Sequence, residues 1–190
     1  VRHQGASVRA TGAWITWILR LEIAGRPEQA LSASQEALQK HENAPELLAF
    51  LVSFHSRMGR WEDAAALLGR LEIAGNAARF HGAAATFHGM KGELDESIRH
   101  ARAWVRELPL FLGARQMLLE RIAARDGARQ ALELAARWVS EEPGRDGLEE
   151  LWHAQLNGAM EPLRRNAQRL RRRLKRNPED GWAWRLLNGG

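Results

Sequence analysis

The chain has 190 residues, of which 45% are hydrophobic and 27% charged, a balance that excludes disorder by composition. It contains no cysteine, which excludes disulfides, thiolate catalysis and cysteine-based zinc or iron–sulfur sites. The formal net charge of +5 is unevenly spread: from 161 to 190 nine basic residues stand against three acidic ones, a net of +6 that leaves the first 160 residues at −1.

Taken in order, the chain reads as a succession of amphipathic helices broken by glycine and proline. Gly12 to Ala24 forms the first helix, with Trp14, Trp17, Ile18 and Leu21 at i, i+3, i+4 and i+7 on one face. Gly25 stops it, and Pro27 suits the first turn of the next helix, where Ala30, Ala33, Ala37 and Leu38 continue an apolar stripe. Pro45 opens a third helix that carries Leu48, Leu51, Val52 and His55 and ends at Gly59. A fourth runs through Trp61, Ala64, Ala65, Leu68 and Leu71 to Gly75. Asn76 caps a fifth, rich in small residues (Gly82, Ala83, Ala84, Ala85, Gly89). Glycine inside a helix costs roughly 1 kcal/mol relative to alanine, so this run implies that another helix or a ligand comes close.

Leu94 to Glu107 is a sixth helix, broken by Pro109, and the segment from Ala101 to Pro109 matches that from Ala135 to Pro143 at a distance of 34 residues. Trp104 and Trp138 therefore share one structural column. Arg145 to Gly158 reads as a further helix, followed by a strongly basic one from Pro162 to Arg176. Asp180 to Leu187 then starts a helix that the sequence does not complete. Val1 and this unfinished helix make the chain read as part of a longer one. The longest apolar run near the start, Ala13 to Leu19, is too short to span a bilayer, and the cytoplasm is the favoured compartment.

Gly25-Arg26-Pro27-Glu28, Gly59-Arg60-Trp61-Glu62, Gly92-Glu93-Leu94-Asp95 and Asp126-Gly127-Ala128-Arg129 are versions of one turn, spaced by 33 or 34 residues with a helix on each side. With these turns, the early Trp14 and Trp184, the alanines Ala30, Ala64 and Ala131, and the closing Pro109, Pro143 and Pro178, the chain resembles the tetratricopeptide repeat family over nearly its whole length. Leu71, Trp104 and Trp138 depart from it, standing where a second alanine is usual, as do Leu21, His55, His88 and Ile122, where tyrosine is usual. The resemblance implies an all-α, right-handed superhelical solenoid of antiparallel helix pairs. Its units would span 12–44, 45–76, 77–109, 110–143 and 144–178, with a partial sixth at 179–190.

It also implies a non-catalytic scaffold that binds a peptide or helix of a partner protein in a concave groove. Projecting the family pattern places Ala49, Phe50, Ser53 and Arg57 in that groove from the second unit, Arg79, Gly82, Ala83, Thr86 and Met90 from the third, and Gln116, Met117 and Glu120 from the fourth. Met90 and Met117 are adaptable apolar contacts. The Lys and Asn set with which some relatives clamp a C-terminal carboxylate is missing, which disfavours chaperone-tail binding. Another reading makes the segment the substrate-recruiting part of a larger enzyme.

The sequence carries no phosphate-binding glycine loop, nucleophile elbow or H-E-x-x-H pattern, and neither a cofactor nor a metal is expected. His55 and His88 stand at equivalent places before successive turn glycines, and His81 lies one heptad before His88. Three nearby imidazoles would suit a metal or acid–base work, but a polar column at the turn is the plainer expectation. The helix at 162–176 presents Arg164, Arg165, Arg169, Arg171, Arg172, Arg173, Lys175 and Arg176 on every face except its apolar stripe. That pattern fits a solvated outer face, with nucleic-acid binding as the alternative. Arg-Leu-Glu-Ile-Ala-Gly occurs at 20–25 and again at 70–75, off the repeat period.

Overall fold

The computed structural model describes residues 2–145 and 147–153 together with Arg172 and Lys175, with side chains from residue 10 onward. Every regular element among them is a helix. In order these are α1 (Arg2–Ile23), α2 (Pro27–Lys40), α3 (Pro45–Arg57), α4 (Trp61–Ile73), α5 (Ala77–Met90), α6 (Leu94–Glu107), α7 (Leu112–Asp126) and α8 (Ala128–Glu141). Helical backbone resumes at 148–153. The first helix is longer than its apolar face requires, because no stop signal precedes Gly12.

The chain divides into two compact units, residues 1–121 and 122–190, each taken by itself. In the first, α1 packs on α2, α3 on α4 and α5 on α6, and the odd-numbered helices α1, α3 and α5 stack in turn. Local chemistry dictates this hairpin-on-hairpin arrangement. Gly25, Gly59 and Gly92 adopt φ of +68°, +70° and +80°, in the left-handed region where a side chain is strained. At each, the glycine N–H and the next residue's N–H turn back onto the helix just ended: Gly25 to Glu22 and Arg26 to Leu21, Gly59 to Ser56 and Arg60 to His55, Gly92 to Gly89 and Glu93 to His88. This paired closure satisfies carbonyls that a helix end would otherwise leave open.

Helix starts are equally local. Pro27 and Pro45 occupy the first turns of α2 and α3, where a missing N–H costs nothing. Asp95 and Glu96 lie in the first turn of α6, against the positive end of its dipole. Asn76 caps α5, its side-chain oxygen accepting from the Arg79 N–H at 3.1 Å. The hexapeptide that occurs twice also finds its explanation here. In both copies the leucine (Leu21, Leu71) is buried, the isoleucine (Ile23, Ile73) is among the most exposed large apolar residues, and the glycine takes a positive φ. It is a helix-stop sequence, used at the end of α1 and again at the end of α4.

The core of the first unit runs from Ile18 and Leu21 through Leu47, Leu48, Leu51, Val52 and Phe54 to Leu71, Ala83 and Phe87. Helices α1, α3 and α5 point the same way, so ion pairs join like ends. Arg57 grips Glu22 with two hydrogen bonds of 2.8 Å near the helix C-termini, and Arg79 pairs with Glu46 at 2.8 Å near the N-termini. In the second unit Ala131 and Ala135 of α8 and Leu148 are buried. Among the described residues no helix is long and apolar enough to cross a membrane. The unfinished helix after Asp180 lies outside the described residues.

Two glycine substitutions should have opposite signs. A Cβ at Gly59 would meet nothing, but the backbone there is left-handed; a Cβ at Gly69, inside α4, would also meet nothing and sits on ordinary helical backbone. Gly59→Ala is expected to destabilise by about 1 kcal/mol and Gly69→Ala to stabilise by about 0.5–1 kcal/mol, read as shifts of the urea midpoint.

Candidate functional site

Helix α5 is the floor on which a cleft is built. It contacts α3, α4 and α6, and Gly82, Ala83, Ala84 and Ala85 are all buried, since side chains larger than methyl would hold those helices away. On the α3 and α6 sides this thin helix leaves a cleft of about 620 Å³. Gly82, Ala83, Thr86, Ala78 and Arg79 of α5 line it, together with Glu46, Ala49, Phe50 and Ser53 of α3, Asn76, Trp104 of α6, and Leu108 and Phe111 from the loop after α6.

Seven of the residues projected into a groove thus meet in one place: Ala49, Phe50, Ser53, Arg79, Gly82, Ala83 and Thr86. Arg57 is committed to Glu22 instead. Met90 is exposed at the far end of α5, while Gln116 and Glu120 are exposed on α7 and joined to each other by a 3.0 Å hydrogen bond. Met117, half-buried between them, is not part of the cleft lining. Of the basic helix only Arg172 and Lys175 are described, both helical and exposed. Arg164, Arg165, Arg169, Arg171, Arg173 and Arg176 lie outside the described residues.

The wall formed by Trp104, Leu108 and Phe111 is absent from the projection. A Cβ built on Gly82 would stand 3.0 Å from the Trp104 indole, so the glycine is what lets the ring lie against α5. Trp104 in turn packs on Phe111 with ring centroids 5.3 Å apart. Leu108, Leu110 and Phe111 are exposed by 42%, 78% and 47%, an apolar lip beside the opening. Gly82 was the available signal, because a buried glycine opposite a tryptophan on the partner helix marks a close approach. Gly89 plays a similar part for Arg121, whose guanidinium would lie 2.6 Å from a Cβ there.

The charges at the cleft rim are mutually neutralised by the Arg79–Glu46 pair. The Ser53 and Thr86 hydroxyls at the cleft each donate to their own helix backbone.

The histidines sort differently from the sequence expectation. His81 meets His100 of α6, Nδ1 to Nδ1 at 3.1 Å, and His88 stacks on the same His100 ring, 5.5 Å between centroids and 5° from parallel. His88 Nδ1 is 2.6 Å from Glu93 Oε2. His55 stands apart from this group, buried, with its Nδ1 3.8 Å from Asp63 and without a hydrogen-bond partner among the described residues. Burial pushes its pKa below the ordinary value, reinforced by Arg60 and opposed by Asp63. Among the described residues no group of three or more ligating side chains is placed to hold a metal ion.

Residues 21–86 match the tetratricopeptide repeat family. No curated protein matches the chain. Among solved structures, a tetratricopeptide repeat protein from Parabacteroides merdae ATCC 43184 is similar with a TM-score of 0.54 and 14% identity, covering 94% of this chain and 71% of that one. At that identity the likeness shows the fold alone, an all-α helical repeat. The structure of Naa15/Naa10 bound to HypK-THB is similar at a TM-score of 0.31 and 11% identity, over 93% of this chain and 38% of that one.

The Gly82–Trp104 contact can be measured. Gly82→Ala should bring none of the stabilisation expected of Gly69→Ala, because the indole must give way. In a Trp104→Ala background the same change should stabilise by about 1 kcal/mol, so a double-mutant cycle on urea midpoints is expected to return a coupling of about that size.

Proposed function

We propose that the chain is a non-catalytic scaffold that holds a peptide or helical segment of a partner protein in the cleft between α3, α5 and α6. The tetratricopeptide repeat is typically non-catalytic and serves protein interaction, and the match over 21–86 covers α2, α3, α4 and most of α5. One observation carries the reading: a cleft of about 620 Å³ whose floor is stripped to Gly82 and Ala83 and whose walls are Phe50, Trp104 and Phe111. Such a volume lies in the range of clefts that receive ligands, and its aromatic walls are the residue types on which binding energy concentrates. The apolar lip and the paired rim charges favour a partner segment anchored by bulky apolar side chains over one recognised by charge.

The test is a peptide-display selection against the intact protein, with affinities of the selected peptides measured by fluorescence polarisation. Phe50→Glu puts an unpaired charge into the wall and is expected to weaken binding at least about tenfold, or about 1.4 kcal/mol. Met117→Glu, outside the cleft lining, should leave binding within about threefold, the range of a peripheral contact. Peptides that ignore Phe50→Glu would place the binding surface elsewhere. Selective retention of RNA or DNA, abolished by Arg171→Glu, Arg172→Glu and Arg173→Glu together, would move the function to the basic helix.

A further inference from the structure

The imidazole group between α5 and α6 has a hydrogen-bonding logic that the cleft does not use. Arg99 Nη2 lies 3.1 Å from His100 Nε2, and a guanidinium can only donate. His100 Nε2 is therefore the acceptor and bears no proton, so in the neutral ring the proton sits on Nδ1. That Nδ1 is 3.1 Å from His81 Nδ1, which must then accept and carry its own proton on Nε2. The partners thus dictate both tautomers, in a directed chain from Arg99 through His100 to His81. Arg99 is itself anchored on Glu96 by its Nε, at 2.8 Å, and by its Nη2.

Each added proton breaks this chain. A proton on His100 Nε2 faces the Arg99 guanidinium, and a proton on His81 Nδ1 faces the N–H of His100. His88, stacked flat on His100, adds a third ring that repels a charged neighbour when it is itself charged. Phe80 closes the group, edge-on to His100 at 5.5 Å, and His100 is buried at 6% exposure, so water offers no alternative partner.

We propose that the Arg99–His100–His81 chain is an acid-sensitive clasp between α5 and α6, closed at neutral pH and released in acid. Its release would also loosen the cleft. His81 is followed directly by Gly82 of the floor, and His100 precedes Trp104 of the wall by one helical turn. The clasp stands without the binding role proposed above; only its effect on a partner rests on that role.

The electrostatic surroundings act in the same direction. Burial first, then Arg99, His81 and His88, push His100 down to about 4 from an ordinary 6.5, with Glu96 opposing. Burial likewise lowers His81, joined by Arg106 and Arg99 and opposed by Glu107 of α6 and Glu72 of α4. Elsewhere around the group, Glu93 takes the His88 Nδ1–H and Lys91, Arg121 of α7 lies against Gly89, and Glu46 of α3 is taken up by Arg79. A histidine whose folded pKa is lowered binds fewer protons folded than opened. Its contribution is therefore complete above 6.5 and is lost as the pH falls toward about 4.

The test is amide hydrogen exchange of the whole chain followed by mass spectrometry, corrected for intrinsic rates, between about pH 7.5 and 4.5. Protection of the α5 and α6 peptides should fall at least about tenfold over that range, given the direction and size of the His100 shift. In His100→Phe, which keeps a ring in the nest and removes the His100 titration, the fall should be clearly smaller, leaving only the part that His81 carries. Unchanged protection in the unaltered protein, or an equal fall in the variant, would overturn the clasp. Should His100→Phe not fold, the imidazole ¹³C titration of the unaltered protein decides. His100 remaining neutral well below pH 6.5 supports the clasp, and titration at its ordinary 6.5 refutes it.

Discussion

Four successive residues of α5, Gly82 to Ala85, are buried, which a helix sustains only when neighbours approach from several sides and none of the four projects beyond a methyl group. The rest of the first unit depends on that thinness. Packed against α3, α4 and α6, α5 offers the floor of a cleft whose walls come from α3, α6 and the loop after α6. The same small residues are poor at holding a helix in shape, since glycine inside a helix sacrifices about 1 kcal/mol relative to alanine. Compensation comes from what the glycines admit: the Trp104 indole over Gly82 and the Arg121 guanidinium against Gly89.

The join between α5 and α6 combines the Trp104 indole over Gly82 with a set of directional polar contacts. Ser97 donates a buried 2.6 Å hydrogen bond to the Ala85 carbonyl, and the Arg99, His100 and His81 chain lies nearby on the same helix pair. Around α3, by contrast, Phe50 stacks near Phe54 at 6.3 Å, amid Leu47, Leu48 and Leu51. A polar join in a low-dielectric setting is strong when every donor has its acceptor and weak when one proton is added. Directional chemistry and the cleft wall thus share one helix pair.

What the sequence made legible is the local part. The turns at Gly25, Gly59 and Gly92 are each decided within six residues by one glycine of positive φ and its two closing hydrogen bonds, and each is visible as a glycine at the repeat spacing. Pro27, Pro45 and Asn76 mark helix starts for equally local reasons. The cleft residues on α3 and α5 were legible because the family pattern, projected onto the chain, places Phe50, Ser53, Gly82 and Thr86 on one face. Trp104 was not, since it reads as a packing column at an alanine site, and only the partner helix reveals that it turns toward Gly82. The place of His100 is not legible in the sequence for a related reason. It has no counterpart at the repeat spacing, and its role exists only through His81 and His88 on another helix.

The paired charges complete the argument. Arg57 and Arg79 look like groove cations in sequence, yet each is answered by a carboxylate on the preceding odd-numbered helix, Glu22 and Glu46. Exposed pairs of this kind contribute little to stability, typically less than about 1 kcal/mol each. Their larger consequence is to withdraw two positive charges, which leaves the cleft with aromatic walls and a neutral rim. Binding that depends on apolar burial responds weakly to salt, whereas binding through the arginines of 164–176 would fall steeply with it. The salt dependence of a partner's affinity therefore separates the two surfaces, without any knowledge of what the partner is.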